Sequence, residues 1–139
     1  MNDTLARWAP IALSVLRIVA AILFLEHGTQ KLLGWPDGKM ANVPMSAGLP
    51  WWAGLIEITT GTLMLIGFLT RPAAFLASGM TAFAYWIAHA PQNPFPVNNQ
   101  GDAAILYCFV FLYLVFAGPG PWSVDAMRSP TKPRGILGR

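Results

Sequence analysis

The sequence predicts an all-α integral membrane protein, folded as a four-helix bundle with both termini in the cytoplasm. Composition is the first reason, because 55% of the 139 residues are hydrophobic and only 11% are charged, against roughly 25% charged in an ordinary soluble domain. The second reason is that the apolar residues form four runs, each approaching the ~20 residues that cross a bilayer as a helix. A chain of this length forms one domain, residues 1–139.

Proline and glycine residues mark where each span begins and ends. The predicted spans are residues 8–33, 51–69, 73–90 and 102–117, and a basic tail occupies residues 118–139. Pro50 and Pro72 stand at the start of the second and third spans, where a missing backbone N–H is harmless. The turn between these two spans is very short, so we expect them to be antiparallel neighbours.

The distribution of basic residues predicts the orientation. An even number of spans places both termini on one side, which carries six basic residues against two on the other, with Arg17 counted as intramembrane. The six are Arg7, Arg71, Arg128, Lys132, Arg134 and Arg139, and the two are Lys31 and Lys39. Because cytoplasmic segments carry the excess of Lys and Arg, we predict a multi-pass protein of the bacterial inner membrane. The formal charge of +3 therefore indicates topology and not nucleic-acid binding.

Two features limit the chemistry of the chain. Asp3 and Arg17 interrupt what would otherwise resemble a cleavable signal peptide, so we expect the first helix to be retained. Cys108 is the one cysteine, which excludes an internal disulfide and a thiolate metal cage within one chain. The two histidines form no HxxxH or ExxH pair, so we predict no metal site.

Ionisable residues inside the predicted spans are the main functional signal. Each costs about 2.5–3.5 kcal/mol in the membrane even on a lenient insertion scale, so each needs a partner or a purpose. On the first helix, Arg17, His27 and Lys31 fall on one stripe, whereas Glu26 points elsewhere.

The other spans add to this set. Glu57, the only charge of the second span, shares its face with two glycines that allow a neighbouring helix to approach. Tyr85 and His89 lie on the third span, Asp102 opens the fourth, and Tyr107 follows one to two turns later. From the predicted topology, we expect most of these residues to converge in the outer half of the membrane.

Two interpretations of this polar cluster stay open. In the first, Arg17 pairs with Glu57, Lys31 pairs with Glu26 or Asp102, and these structural ion pairs only fix the register of the helices. Arg17 lies deeper than Glu57, but its long side chain could extend several ångströms toward it. In the second, the side chains line a pocket that binds a polar head group. We favour the second because so many costly residues lie at a similar depth.

Several motifs resemble those of a known family. They are H-G-T-Q-K-L at 27–32, G-L-I-E-I-T-T-G at 54–61, G-F-L-T-R at 67–71, G-D-A-A-I-L-Y at 101–107 and G-P-G-P-W-S-V-D at 118–125. In this order and at these span positions, they resemble the DoxX/DoxD-like membrane proteins over nearly the whole chain. The resemblance implies a four-helix inner-membrane bundle. It also implies respiratory or thiol-redox chemistry, because some members are subunits of thiosulfate:quinone oxidoreductase or accompany quinol oxidases.

The resemblance also implies which residues form the site. Carried over by position, these are Arg17, His27, Lys31, Glu57 and His89, with Asp102 where the family more often has Glu. The Asp side chain is one methylene shorter than that of Glu.

Together these observations predict a redox-associated inner-membrane subunit that binds a quinone or similar lipophilic substrate near the outer leaflet. The predicted catalytic residues, which would exchange protons, are Glu57, His27 and His89. The predicted substrate-binding residues are Arg17, Lys31, Asp102 and Tyr85. No flavin, haem or iron–sulfur signature occurs, so a redox partner protein is expected and a quinone is the one cofactor considered. Whether the chain is an enzyme by itself stays open.

Two alternatives belong to other functional classes. The chain could be a non-enzymatic assembly or interaction subunit of a membrane complex, in which the buried charges only hold the bundle. It could also be a small permease, which would require a homo-oligomer because four helices enclose only a narrow path. In each case the lipid bilayer is a partner and nucleic acid is not.

Overall fold

The computed structural model describes residues 2–129, with side chains from residue 5 onward. Three cations of the orientation argument, Lys132, Arg134 and Arg139, lie outside the described residues, as does the rest of the predicted basic tail from residue 130 onward. Over residues 2–129 the protein is all-helical and contains no β-strand, which confirms the predicted class of secondary structure.

Six α-helices follow one another within this range. They are α1 Asn2–Leu33, α2 Leu49–Ile66, α3 Thr70–Ala84, α4 Pro96–Asn99, α5 Asp102–Ala117 and α6 Val124–Arg128. A 3-10 turn, Met45–Ala47, precedes α2, and a π-helical turn, Tyr85–His89, prolongs α3. Two stretches, Leu5–Leu33 and Leu49–Ile66, are long and apolar enough to cross a membrane, and α5 is a shorter apolar helix.

The connection between α2 and α3 is short because a glycine ends α2 abruptly. Gly67 has a left-handed backbone (φ 70°), a conformation that residues with a Cβ rarely adopt. Its N–H donates to the carbonyl of Met64 and the N–H of Phe68 donates to that of Leu63 (2.9 Å), which is the Schellman arrangement for closing a helix. Helix α3 then returns antiparallel along α2, as the short turn predicts.

Helices α1 and α2 pack closely in antiparallel fashion because glycines on both helices leave no side chain between them. A Cβ on Gly28 of α1 would lie 2.9 Å from the backbone nitrogen of Ile58 on α2. A Cβ on Gly61 of α2 would lie 2.8 Å from Cγ of Leu25 on α1. This contact fixes the register that brings polar residues of α1 and α2 together.

Helix α3 packs along α5, and a polar contact joins the two helices. The Ser78 hydroxyl of α3 donates to the carbonyl of Cys108 on α5 (2.8 Å). The core between the helices is small and contains many alanines. Its buried residues are Ala20, Ala21, Phe24, Met64, Ala73, Ala74, Ala77, Phe111 and Leu114.

The helices give the protein two ends. We call the end that carries the α2–α3 turn and the segment 118–129 the turn end. We call the opposite end, which carries the connections 34–48 and 90–101, the loop end.

Candidate functional site

A buried ion pair joins α1 and α2 in the half of the protein nearer the loop end. The ammonium of Lys31 lies 2.5 Å from Oε1 of Glu57, and the two side chains are only 16% and 7% exposed. The other carboxylate oxygen of Glu57, Oε2, is buried and finds no hydrogen-bond partner among the described residues. The pair therefore leaves one strong acceptor unused, and such a group is costly to bury alone.

An aromatic side chain of α5 faces this region from a third helix. The Tyr107 ring meets the His27 ring edge-on, with 6.0 Å between their centroids, and the Phe24 ring at 5.4 Å. His27 is exposed, while Tyr107 is half-buried. Tyr107 was not among the predicted site residues. The one available signal was its position one to two turns after Asp102, which an apolar run of packing aromatics obscures.

His89 and Tyr85 form a separate group at the loop end. Nδ1 of His89 lies 2.9 Å from the backbone carbonyl of Asn99, and since a carbonyl only accepts, Nδ1 carries a proton and donates it to this contact. The rings of Tyr85 and His89 stack at 6.4 Å. Asn99 is 2% exposed and accepts from the N–H of Gly101 (2.8 Å). This group holds the connection that leads into α5, and the structure records no contact between His89 and the Lys31–Glu57 pair.

Arg17 lies at the turn end, so the predicted Arg17–Glu57 ion pair is wrong. Its guanidinium donates to the carbonyl of Pro119 and to that of Trp122 (2.5 Å), and the side chain is completely buried. Its Nε finds no partner among the described residues. Fourteen residues separate Arg17 from Lys31, which is about 21 Å of α-helix.

The other predicted pairings of Lys31 are corrected as well. Lys31 pairs with Glu57 and not with Glu26 or Asp102. Glu26 is exposed on α1, on a different side from Lys31, as its position on the helical wheel predicts. Asp102 is exposed in the first turn of α5, where a negative charge favours the helix dipole.

Arg17 belongs to a set of interactions that we call the turn-end latch, formed by Arg17, Arg71, Asp125 and the backbone groups they bind. Arg71 donates to the carbonyls of Val115 and Phe116, which are unpaired at the end of α5. The segment that follows α5 packs closely against α1. A Cβ on Gly120 of this segment would lie 2.3 Å from the hydroxyl oxygen of Ser14 on α1.

Asp125 completes the latch by capping α3. Its carboxylate accepts from the N–H groups of Leu69 (3.0 Å) and Thr70 (2.9 Å). Desolvation alone would raise the pKa of Asp125, but the hydrogen bonds from Thr70 and Leu69 and the charge of Arg128 lower the pKa below its ordinary value. The motifs at 67–71 and 118–125 thus bind each other, and the Arg17 and Arg71 side chains serve this structure.

No group of three or more His, Cys, Asp or Glu side chains within the described residues lies close enough to hold a metal ion. The side chains of the Lys31–Glu57 region can form hydrogen bonds and exchange protons. The donors are Lys31 and the Tyr107 hydroxyl, and the unused acceptor is Oε2 of Glu57.

Comparison with known proteins agrees with the motifs. A family model described as DoxX matches residues 12–90, more than half of the chain. An uncharacterized protein of Haemophilus influenzae is 40% identical over 130 residues, covering 90% of this chain and 96% of its own length. The inner membrane proteins YphA and YqjF of Escherichia coli are each 27% identical and cover 84% of this chain, and 89% and 92% of their own lengths. No solved structure matches significantly. The chain therefore belongs to the DoxX family of membrane proteins.

Proposed function

We propose that this protein is a redox-associated subunit of the bacterial inner membrane that binds the polar head of a lipophilic molecule, such as a quinone, at the Lys31–Glu57 pair. The observation that carries the proposal is the buried Oε2 of Glu57, which has no partner among the described residues. A ligand hydroxyl would donate to this oxygen, and a ligand oxygen would accept from the remaining protons of the ammonium.

The pair can contact both a quinone and its reduced form, through different groups. The ammonium of Lys31 can donate to a quinone carbonyl, and it stabilises negative charge that develops on that oxygen. Oε2 of Glu57 can accept from a quinol hydroxyl and take its proton. Exposed His27 lies beside the Tyr107 ring and would exchange that proton with the aqueous side. His89 and Asp102 are retained as predicted site residues only through the family resemblance.

The proposal includes a topology in which α1, α2, prolonged α3 and α5 all cross the membrane and the loop end faces outward. The cations Arg71 and Arg128 at the turn end support a cytoplasmic position for that end. Glu57 lies six residues after Trp51, so its Cα would be about 9 Å below the outer interface. The head group would then lie in the outer leaflet.

The redox association rests on the family resemblance, and a partner protein would either supply electrons to the quinone or accept them from the quinol. No side chain of the site carries electrons itself, so the subunit would present a quinone to an oxidoreductase.

Binding to purified full-length protein in lipid nanodiscs tests the site. Decylubiquinol, whose hydroxyl groups can donate to Oε2, is titrated under anaerobic conditions against wild type, Glu57→Gln and a matched control, Glu26→Gln, which changes an exposed carboxylate of α1. We expect wild type and Glu26→Gln to bind equally and Glu57→Gln to bind at least ~10-fold more weakly, since ~1.4 kcal/mol corresponds to one lost hydrogen bond. Equal binding by all three proteins contradicts the site.

The turn-end latch favours one alternative, a non-enzymatic assembly subunit. There the two terminal nitrogens of the Arg17 guanidinium donate to backbone carbonyls of the protein itself, so buried charge in this fold can be structural. If Lys31→Met combined with Glu57→Leu still supports assembly of the native complex, and wild type binds no decylubiquinone, this alternative replaces the first proposal.

A further inference from the structure

We infer that the groove between α1 and α5 receives the hydrocarbon tail of the ligand whose head contacts the Lys31–Glu57 pair. The inference rests on the proposed function and adds where the rest of the ligand lies and how it reaches the site. It commits to one occupant, a linear apolar tail joined to a polar head.

The groove is a cavity of 330 Å³ with almost wholly apolar walls. Four residues of α1 between Leu16 and Leu23 form one wall, and four residues of α5 between Ala103 and Val110 form the other. Among these, only Tyr107 carries a polar group in its side chain. Such a surface can pack against hydrocarbon and offers nothing to a polar molecule.

The helix packing explains why a groove exists at this place. Helix α1 packs along α2 and α5 packs along α3, whereas α1 and α5 make few direct contacts. They meet through the Phe24 and Phe111 rings, whose centroids lie 4.8 Å apart. Small side chains at Ala20 and Ala103 leave the space beside this aromatic contact unfilled.

Tyr107 connects the groove with the polar site. It lines the groove, and its ring also faces His27, which lies one helical turn before Lys31 on the same face of α1. A head group at the ion pair and a tail in the groove would therefore contact the same tyrosine. The two regions form one elongated site.

The direction of the groove matches the direction that a tail must take. Along α1 it extends from Leu23 to Leu16, which is about 6 to 17 Å from His27 toward the turn end. A tail in it would run parallel to the α1 axis and to the lipid chains. The ligand would enter sideways from the bilayer and not from the aqueous phase.

The expected gain from the tail is modest. Lipid chains are as apolar as the groove walls, so a tail gains no hydrophobic driving force by leaving lipid, and only closer van der Waals packing favours the groove. We therefore expect the groove to raise affinity about 5-fold and to fix the position of the tail, and the test must locate the tail directly.

Photo-crosslinking of the full-length protein in lipid nanodiscs locates it. The probe is a ubiquinone analogue with a photoreactive diazirine at the end of a ten-carbon tail. We expect labelled peptides within residues 16–23 and 103–110, and we expect excess decylubiquinone to remove the label. A second arm compares Ala103→Phe, which fills the groove, with Gly79→Phe, where an added Cβ meets nothing within 4 Å.

Each outcome has a defined meaning. Ala103→Phe should weaken decylubiquinone binding about 5-fold. It should leave unchanged the binding of an otherwise identical quinone that lacks the decyl tail, and Gly79→Phe should alter the binding of neither compound. If decylubiquinol binding still depends on Glu57 but the label lies on other apolar surfaces such as Phe75 and Phe83, the groove is refuted and the head-group site stands. Label that excess decylubiquinone does not remove indicates ordinary contact with lipid and also refutes the groove. If decylubiquinol binding does not depend on Glu57, the proposed function itself fails.

Discussion

Lys31 and Glu57 should be strongly coupled in stability, and Arg17 and Glu57 should not. The structure assigns Glu57 to Lys31 at 2.5 Å and places Arg17 among the carbonyls of the turn end. Two double-mutant cycles distinguish these assignments. One combines Lys31→Met with Glu57→Leu, and the other combines Arg17→Met with Glu57→Leu.

The magnitude follows from burial. Because the two side chains are 16% and 7% exposed, removing one partner leaves a charge in a largely desolvated place, which costs about 3–5 kcal/mol of unfolding free energy. Replacing both by apolar residues of similar volume is often neutral. Two such losses and a neutral double replacement would give a coupling of about 6–10 kcal/mol. Because couplings between residues in contact usually reach only about 3 kcal/mol, we expect a value of at least about 3 kcal/mol. Arg17 lies about 21 Å along α1 from Lys31, the partner of Glu57. Its coupling to Glu57 should therefore be within ~0.5 kcal/mol of zero.

Reversible unfolding in mixed detergent micelles measures these energies. The protein has six tryptophans, whose fluorescence reports unfolding as SDS replaces a mild detergent. The reasoning is refuted if Lys31 and Glu57 contribute additively, or if the Arg17–Glu57 cycle shows the larger coupling.

Three further predictions concern the latch and the helix contact. Arg17→Met should lower the free energy of unfolding by about 2–4 kcal/mol because two buried carbonyls lose their donor. Thermal unfolding measures this loss. An equal loss in Arg7→Met, which changes an exposed arginine, would contradict the prediction. The pKa of Asp125 is lower in the folded state than the ordinary ~3.9, so the carboxylate stabilises the fold above about pH 4 and this contribution is lost as the pH falls through the folded-state pKa. Wild type should therefore lose more stability than Asp125→Asn between pH 5 and 3 in a pH series of thermal unfolding, and parallel curves would show that the cap contributes nothing. Gly28→Ala should lower the free energy of unfolding by about 1–3 kcal/mol because its Cβ would lie 2.9 Å from a backbone nitrogen of α2. The control Gly79→Ala, whose Cβ meets open space, should be neutral or stabilising. Equal effects of the two substitutions on unfolding in SDS would contradict the close packing.

The sequence predicts the helical segments well because proline and glycine mark their ends. The fourth predicted segment, 102–117, coincides with α5. The second extends three residues too far, to Leu69, because the apolar run continues through Phe68 and Leu69 after Gly67 has already ended the helix. Apolarity and helicity are different properties, and at this turn the apolar run continues beyond the end of the helix.

The partners of the buried charges could not be predicted, because a helical wheel gives direction but not depth. Arg17, His27 and Lys31 share a stripe of α1, yet the stripe spans about 21 Å and meets different neighbours along its length. The neighbour of Arg17 is the segment 118–123, which folds back from α5. The contact of Tyr107 with His27 likewise depends on the angle between α1 and α5, which no local pattern specifies.

Burial of a charge alone does not mark a binding site in this protein, because the two buried cations are satisfied differently. Arg17 is enclosed, with no exposed surface, and its guanidinium serves carbonyls that the Pro119 segment leaves free because that segment is not helical. Nothing outside the protein can reach it. Lys31 remains partly exposed beside exposed His27, and its carboxylate partner retains an unused oxygen. Both residues incur a similar cost of insertion, but only at Lys31 is there an unmet hydrogen bond next to an open surface. That difference in access and in satisfaction, and not the number of charges, is what favours a ligand at Glu57.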